Sequence, residues 1–140
     1  MAGIKRTKHD AVFSNLIRER AEWKCERCGT QYQPPTMGLH CAHLFTRRGR
    51  STRWAPDGAI AACYGCHQYI DSHPAEKEML ARRILGDGRY DLLTERAHKP
   101  VKLTKADLED IYQHLKAEYS RMKEARGNGV VGRIEFEDPM

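Results

Sequence analysis

The residues able to do chemistry crowd into one stretch of the chain. Cys25-Glu-Arg-Cys28 and Cys63-Tyr-Gly-Cys66 form two CxxC pairs, and His67 follows the second at once. Four thiols in two short-spaced pairs suit the tetrahedral geometry of a structural zinc ion. The 34 residues between Cys28 and Cys63 exceed the usual zinc-ribbon loop and hold His40, His43, Arg47, Arg48, Arg50 and Arg53. A purely structural loop needs no such density of imidazole and guanidinium. Imidazole titrates near neutrality and suits proton transfer or metal ligation. Guanidinium makes permanently charged, bidentate contacts to phosphate oxygens. Past Cys66, His67 and Asp71 stand at i and i+4, a spacing that on a helix sends an imidazole and a carboxylate from one side toward a single ion.

The elements that must position these groups read as an α+β chain. At 140 residues it suits one compact domain, small enough for zinc to be a useful brace. After a basic leader over residues 1–9, Val12, Phe13, Leu16, Ile17 and Ala21 recur at helical steps, with Asp10 as the expected N-cap. Pro34-Pro35 marks a loop, Leu39–Phe45 and Ala59–Ala62 read as two short strands, and Arg47–Arg53 reads as a solvated basic loop before a turn from Trp54 to Gly58. A short helix opening at Cys66 and His67 should not pass Ser72, because Pro74 disfavours helical backbone at His73. Pro74 itself suits the first position of a helix to Leu85, stopped by Gly86. Thr104 and Asp107 have capping-box spacing for a last helix bearing Leu108, Ile111, Leu115, Tyr119 and Met122 on one face. The tail over residues 127–140 fits either an ordered strand or a loose terminus.

Lys and Arg number 24 against 19 Asp and Glu, a net charge of +5 that suits a polyanionic partner, nucleic acid or a membrane surface. No apolar run is long enough to span a bilayer, and Met1-Ala-Gly-Ile-Lys-Arg lacks a signal-peptide core, so cytoplasmic residence is the expectation. In a reducing compartment, paired cysteines serve as metal ligands sooner than as disulfides. The odd fifth, Cys41, fits that reading as a small buried hydrophobe.

Leu39-His-Cys-Ala-His43, followed by Asp57-Gly-Ala-Ile-Ala-Ala-Cys63-Tyr-Gly-Cys66-His67, resembles the HNH (ββα-metal) endonuclease motif with an accessory zinc. Phe13–Arg20 before the first CxxC, and Thr52-Arg53-Trp54 before the second strand, are similar to phage-encoded, NinG-like recombination HNH nucleases. The resemblance implies a zinc-braced ββα-metal core (residues 25–72) within one nuclease domain (residues 10–126), whose C-terminal helical part spans residues 74–126. It implies hydrolysis of DNA phosphodiester bonds, leaving 5′-phosphate and 3′-hydroxyl ends, on double-stranded or branched DNA in a host cytoplasm; a homodimer is compatible with it. By the same resemblance His43 is the general base, His67 and Asp71 hold a catalytic Mg²⁺, Mn²⁺ or other transition-metal cation, and Cys25, Cys28, Cys63 and Cys66 hold structural Zn²⁺. Arg47, Arg48, Arg50 and Arg53 would contact phosphates beside the scissile bond.

Two positions depart from the family pattern. Gly58 stands where the family has an asparagine, nine residues before the helix histidine, and Asp57 is the nearest substitute. Ala42 stands where many members place an Asp or His before the base, with His40 and His73 as spares. Those departures favour a catalytically inactive zinc-dependent DNA-binding module as the competing reading. A protein-interaction adaptor using the Thr104–Met122 helix and an RNA-directed role are the others. Trp54 and Tyr64 read as packing groups.

Overall fold

The computed structural model describes residues 4–140 as an α+β fold of six helices around a two-stranded antiparallel sheet. Residues 1–3 of the basic leader lie outside the described residues. Helix α1 (Lys8–Arg20) begins three residues earlier than the sequence suggests, because Thr7, not Asp10, is its N-cap. Asp10 is the N3 partner of that cap, and its carboxylate takes the Thr7 backbone N–H at 2.8 Å. Phe13, Leu16 and Ile17 of α1 are buried, and they pack toward Ile111, Leu115 and Met122 of the long α6 (Lys105–Gly127). The expected Thr104–Asp107 capping box opens α6.

Strands β1 (Leu39–His43) and β2 (Ala59–Cys63) pair from Leu39 opposite Cys63 to His43 opposite Ala59. The outer edge of β2 is covered by neighbours, and that of β1 only at Leu39, which limits the open strand edge that a second chain could pair with. Arg18 donates to the Leu39 carbonyl at 3.2 Å, and the fully buried Arg20 donates to the Pro56 and Ala59 carbonyls at 2.7 Å each. Glu26 acts as a one-residue third strand: its N–H donates to the Ala61 carbonyl at 2.8 Å and its carboxylate accepts the Ala61 N–H at 2.7 Å. Ala59, Ala61 and Ala62 are buried, and their small side chains let helices approach the sheet closely.

The link between the strands is not a solvated loop. Arg50–Arg53 form a short helical turn (α2), Pro56–Gly58 a 3₁₀ turn, and Ser51 through Pro56 are buried. Gly58 is required by close approach, since a Cβ there would collide with the Thr52 carbonyl oxygen. Helix α3 (Tyr64–Ser72) follows β2 directly, and Pro74 starts α4 (Pro74–Leu85). Gly86, at φ 84°, ends α4 and leads at once into α5 (Asp87–Ala97), a helix with no counterpart in the sequence reading. The tail is ordered against the body without being a strand: Phe136 is buried, Arg133 pairs with Glu26, and Asp138 pairs with Arg96. Among the described residues, no helix is long and apolar enough to cross a membrane.

Candidate functional site

The first CxxC lies on a tight knuckle. Cys25 N–H donates to the Thr30 carbonyl at 3.0 Å and Gly29 N–H to the Cys25 carbonyl at 2.9 Å, with Gly29 at φ 78° as the turn requires. The second CxxC spans the end of β2 and the first turn of α3. The Glu26 bridge to β2 brings the two halves together, and all four ligand sulfurs lie within 4.8 Å of one another. Tetrahedral zinc with thiolate bonds of about 2.3 Å places its sulfurs about 3.8 Å apart; Cys28 Sγ and Cys63 Sγ are 3.9 Å apart. The cluster can therefore hold a structural metal such as zinc.

The surroundings of the sulfurs suit an anionic thiolate cluster. The Thr30 hydroxyl, 3.1 Å from Cys28 Sγ, and its backbone N–H hold that thiol down to about 6. Burial pushes Cys66 up to about 12, against a donated Arg27 Nη1 hydrogen bond at 3.4 Å. Four adjacent thiols cannot all ionise without a cation among them, and a coordinated metal deprotonates its thiols outright. Arg27 stands beside the cluster as a further positive charge, stacked 4.1 Å over the Tyr69 ring.

A second centre opens on the other side of α3. A polar cleft of about 670 Å³ is lined by His40, His43, His67 and Asp71, together with Arg6, Arg18, Arg47 and Lys77. His43 donates Nε2–H to the Arg53 carbonyl at 3.0 Å, which leaves the Nδ1 lone pair as the basic position of a neutral ring. Burial drives His43 down to about 4, so the ring is neutral at physiological pH. His67 Nε2 lies 3.2 Å from Asp71 Oδ2, with Asp71 Oδ1 held by Lys77 Nζ at 2.8 Å. Burial lowers His67, and the Asp71 carboxylate opposes that shift.

His40 crosses to this group despite being three strand positions from His43. Its Nδ1 lies 3.0 Å from His67 Nδ1, the separation of one N–H···N hydrogen bond or of two neighbouring ligands on a single ion. Its other nitrogen faces the Met37 carbonyl at 3.1 Å. His67 thus turns one nitrogen to His40 and the other to Asp71, and a single ion shared with Asp71 requires rotation of that side chain or of the carboxylate.

Several expected site residues are placed otherwise. Arg53 is a correction: it is buried in a bidentate pair with Asp10, at 3.0 Å from Nε and 2.6 Å from Nη2, and cannot lie on a solvated loop. The reason is long-range, since Asp10 and the Trp54 indole N–H, 3.1 Å away, complete a polar cluster beneath α2. Burial would raise the Asp10 carboxyl, but Arg53, the Thr7 N–H and Trp54 outweigh it and hold Asp10 at about 2. Asp57 is turned away from His43 into a bidentate pair with Arg89 of α5. His73 stacks on Tyr69 at 4.1 Å and bonds the Tyr69 carbonyl at 2.8 Å, outside the cleft. Trp54 is packed as expected, whereas Tyr64 is exposed, edge-on to His40.

Arg47 reaches the cleft while bonding the Ile4 carbonyl, and Arg48 and Arg50 face solvent. The sequence gives no role to Arg18 or Lys77, and to Asp10 only that of a helix cap. Thr7 and Asp10 carried a signal, because they have the same capping-box spacing that identifies Thr104 and Asp107. Lys77 carried none, lying on a different helix from the carboxylate it holds. Comparison of the chain with protein-family models, curated proteins and solved structures returned no match.

Proposed function

We propose that this chain is a metal-dependent endonuclease of the HNH type, hydrolysing DNA phosphodiester bonds in the His40–His43–His67–Asp71 cleft. The observation that carries the reading is convergence: a neutral, backbone-anchored imidazole shares one polar cleft with an imidazole pair, a carboxylate and four cationic side chains. His43 Nδ1 takes a proton from water, and the resulting hydroxide attacks the phosphorus opposite the 3′ oxygen, whose bond to phosphorus breaks and which takes a proton from solvent to become the new 3′-hydroxyl. His67 and Asp71, with His40 beside them, would hold a divalent cation; when bound, it neutralises the charge that develops on the phosphoryl and leaving oxygens. Arg18 and Arg47 supply fixed positive charge along the same wall. The cysteine cluster braces the turn between β2 and α3, and so sets His67 at its depth beside β1.

The test is nicking of supercoiled plasmid by zinc-loaded protein with Mg²⁺ or Mn²⁺, and by the His43→Ala variant. Nicking that depends on the added cation and is lost in the variant, with zinc content unchanged, is the expected result. A wild-type protein that binds DNA but cuts no form of it with several divalent ions would overturn catalysis. The second reading, a zinc-dependent DNA-binding module, is favoured by one observation: Lys77 already neutralises Asp71, and His67 divides its two nitrogens between different partners.

A further inference from the structure

Most arginines on this surface are already engaged by carboxylates or carbonyls. Arg82 pairs with Glu78 and Asp87, Arg89 with Asp57, Arg96 with Asp138, Arg121 with Glu118, and Arg133 with Glu26 and Glu135. One group differs. Arg48 and Arg50, at the start of α2, and Lys99, just past the end of α5, are exposed and make no side-chain hydrogen bond or ion pair among the described residues. The three line a single groove of about 340 Å³ that includes His98 and has no carboxylate in its wall. The α5 carbonyls that would make this end electronegative are occupied in part, since the Glu95 and Arg96 carbonyls accept the His98 and Lys99 N–H groups at 3.2 and 3.1 Å. Uncompensated like charges in a concave wall repel one another, and a ligand anion relieves that repulsion.

The groove is also continuous with the cleft in chain terms. Arg47 and Arg48 are consecutive, yet Arg47 lines the cleft and Arg48 the groove, so the segment from Thr46 to Arg50 is a ridge between two cationic depressions. We propose that the Arg48–Arg50–Lys99 groove is a second nucleic-acid backbone site, which holds the phosphates of a strand continuing over this ridge from the cleft. The proposal rests on the reading of DNA as the partner. Its contribution is sequence-independent positioning, because arginine and lysine contacts to phosphate fix register without reading bases. The helix α5, with Gly86 at its head, is the element that delivers Lys99 to the groove.

The experiment is the salt dependence of DNA binding. Labelled duplex is titrated with zinc-loaded full chain, without added divalent cation, over about a tenfold range of KCl. The R48A/R50A/K99A variant should bind about tenfold or more weakly at low salt, with the slope of log K against log[salt] reduced by about 2 to 3, since each lost phosphate contact on a duplex removes about 0.9. All three side chains are exposed, so zinc content and thermal midpoint should match wild type. An unchanged slope in the variant overturns the groove, whether or not the protein cuts DNA. A reduced slope in a protein that never nicks plasmid supports the groove and sinks only the catalytic reading. Wild-type protein that binds no DNA at low salt, or that binds polyglutamate with the same slope, overturns the assignment to a nucleic-acid backbone.

Discussion

Replacing Asp10 by Asn tests the cluster beneath α2 most directly. The Asp10 carboxylate receives Arg53 Nε at 3.0 Å, Arg53 Nη2 at 2.6 Å, the Trp54 indole N–H at 3.1 Å and the Thr7 N–H at 2.8 Å, all within a side chain only 3% exposed. Asparagine keeps the shape but leaves the Arg53 guanidinium buried without its counter-ion, which costs about 3–5 kcal/mol. An independent route gives a similar size. Asp10 titrates at about 2 in the fold against 3.8 in the free side chain. That difference corresponds to about 2.4 kcal/mol of stabilisation. Because the folded value is the lower one, this stabilisation is complete above pH 4 and is lost as the pH falls toward 2. Urea unfolding followed by tryptophan fluorescence should therefore show a deficit of about 2–5 kcal/mol at pH 7, constant down to about pH 5. On a total stability of roughly 5–15 kcal/mol this is a large fraction. Since Arg53 offers its carbonyl to His43, the variant should also loosen the imidazole and lower any nicking rate. A double substitution, Asp10→Leu with Arg53→Met, should recover only part of the loss: it leaves no unpaired charge, but the Trp54 indole N–H and the Thr7 N–H lose their acceptor. A deficit below about 1 kcal/mol for Asp10→Asn would refute the reasoning that this pair holds α2 in place.

Other outcomes follow from single features. Gly58→Asn should destabilise the protein by about 1–3 kcal/mol, read as a lowered urea midpoint, because the Thr52 carbonyl occupies the space its Cβ needs; an unchanged midpoint would show that the backbone gives way there. Elemental analysis should find one zinc per chain. Cys28→Ser, or removal of the metal by chelator, should lower the melting temperature and expose Leu39 and Ile60 to dye binding, since the cluster ties the knuckle to the sheet. Phe136→Ala should cost about 3 kcal/mol or more by emptying the site the tail fills against Phe13 and Arg20.

The parts legible in the sequence are those fixed by local rules. Cysteine spacing announced the four-thiol cluster, Pro74 and Gly86 bounded α4 by their backbone constraints, and Thr104 with Asp107 marked the head of α6. The strand, strand, helix order was likewise readable from short apolar runs between turn residues. What escaped was set by distant partners. Arg53 looked solvated because its run is basic and too short for periodicity, and the carboxylate that buries it lies 43 positions away. Helix α5 was missed because Asp87–Ala97 carries Gly88 and has only Leu93 buried, with Leu92 exposed, so no stripe advertises a face. His40 was expected only as a spare for the position Ala42 occupies, yet it meets His67 between β1 and α3, a contact that depends on how α3 leaves β2. Asp57 was the nearest carboxylate to His43 in sequence, but α5, unseen in the sequence, supplies the arginine that claims it.

The tail and α6 give the chain a particular order of completion. Helix α1, made first, is finished by residues made last: the Leu108 carbonyl accepts from His9, Arg126 donates to the Glu19 carbonyl, and Arg20 lies under the Phe136 ring. During synthesis the cysteines emerge well before those partners, so the thiol cluster can close while Phe13, Leu16 and Ile17 still face solvent. A chain whose thiols held a metal at that point would leave the apolar face of α1 open to chaperones or to other chains until α6 arrives to cover it.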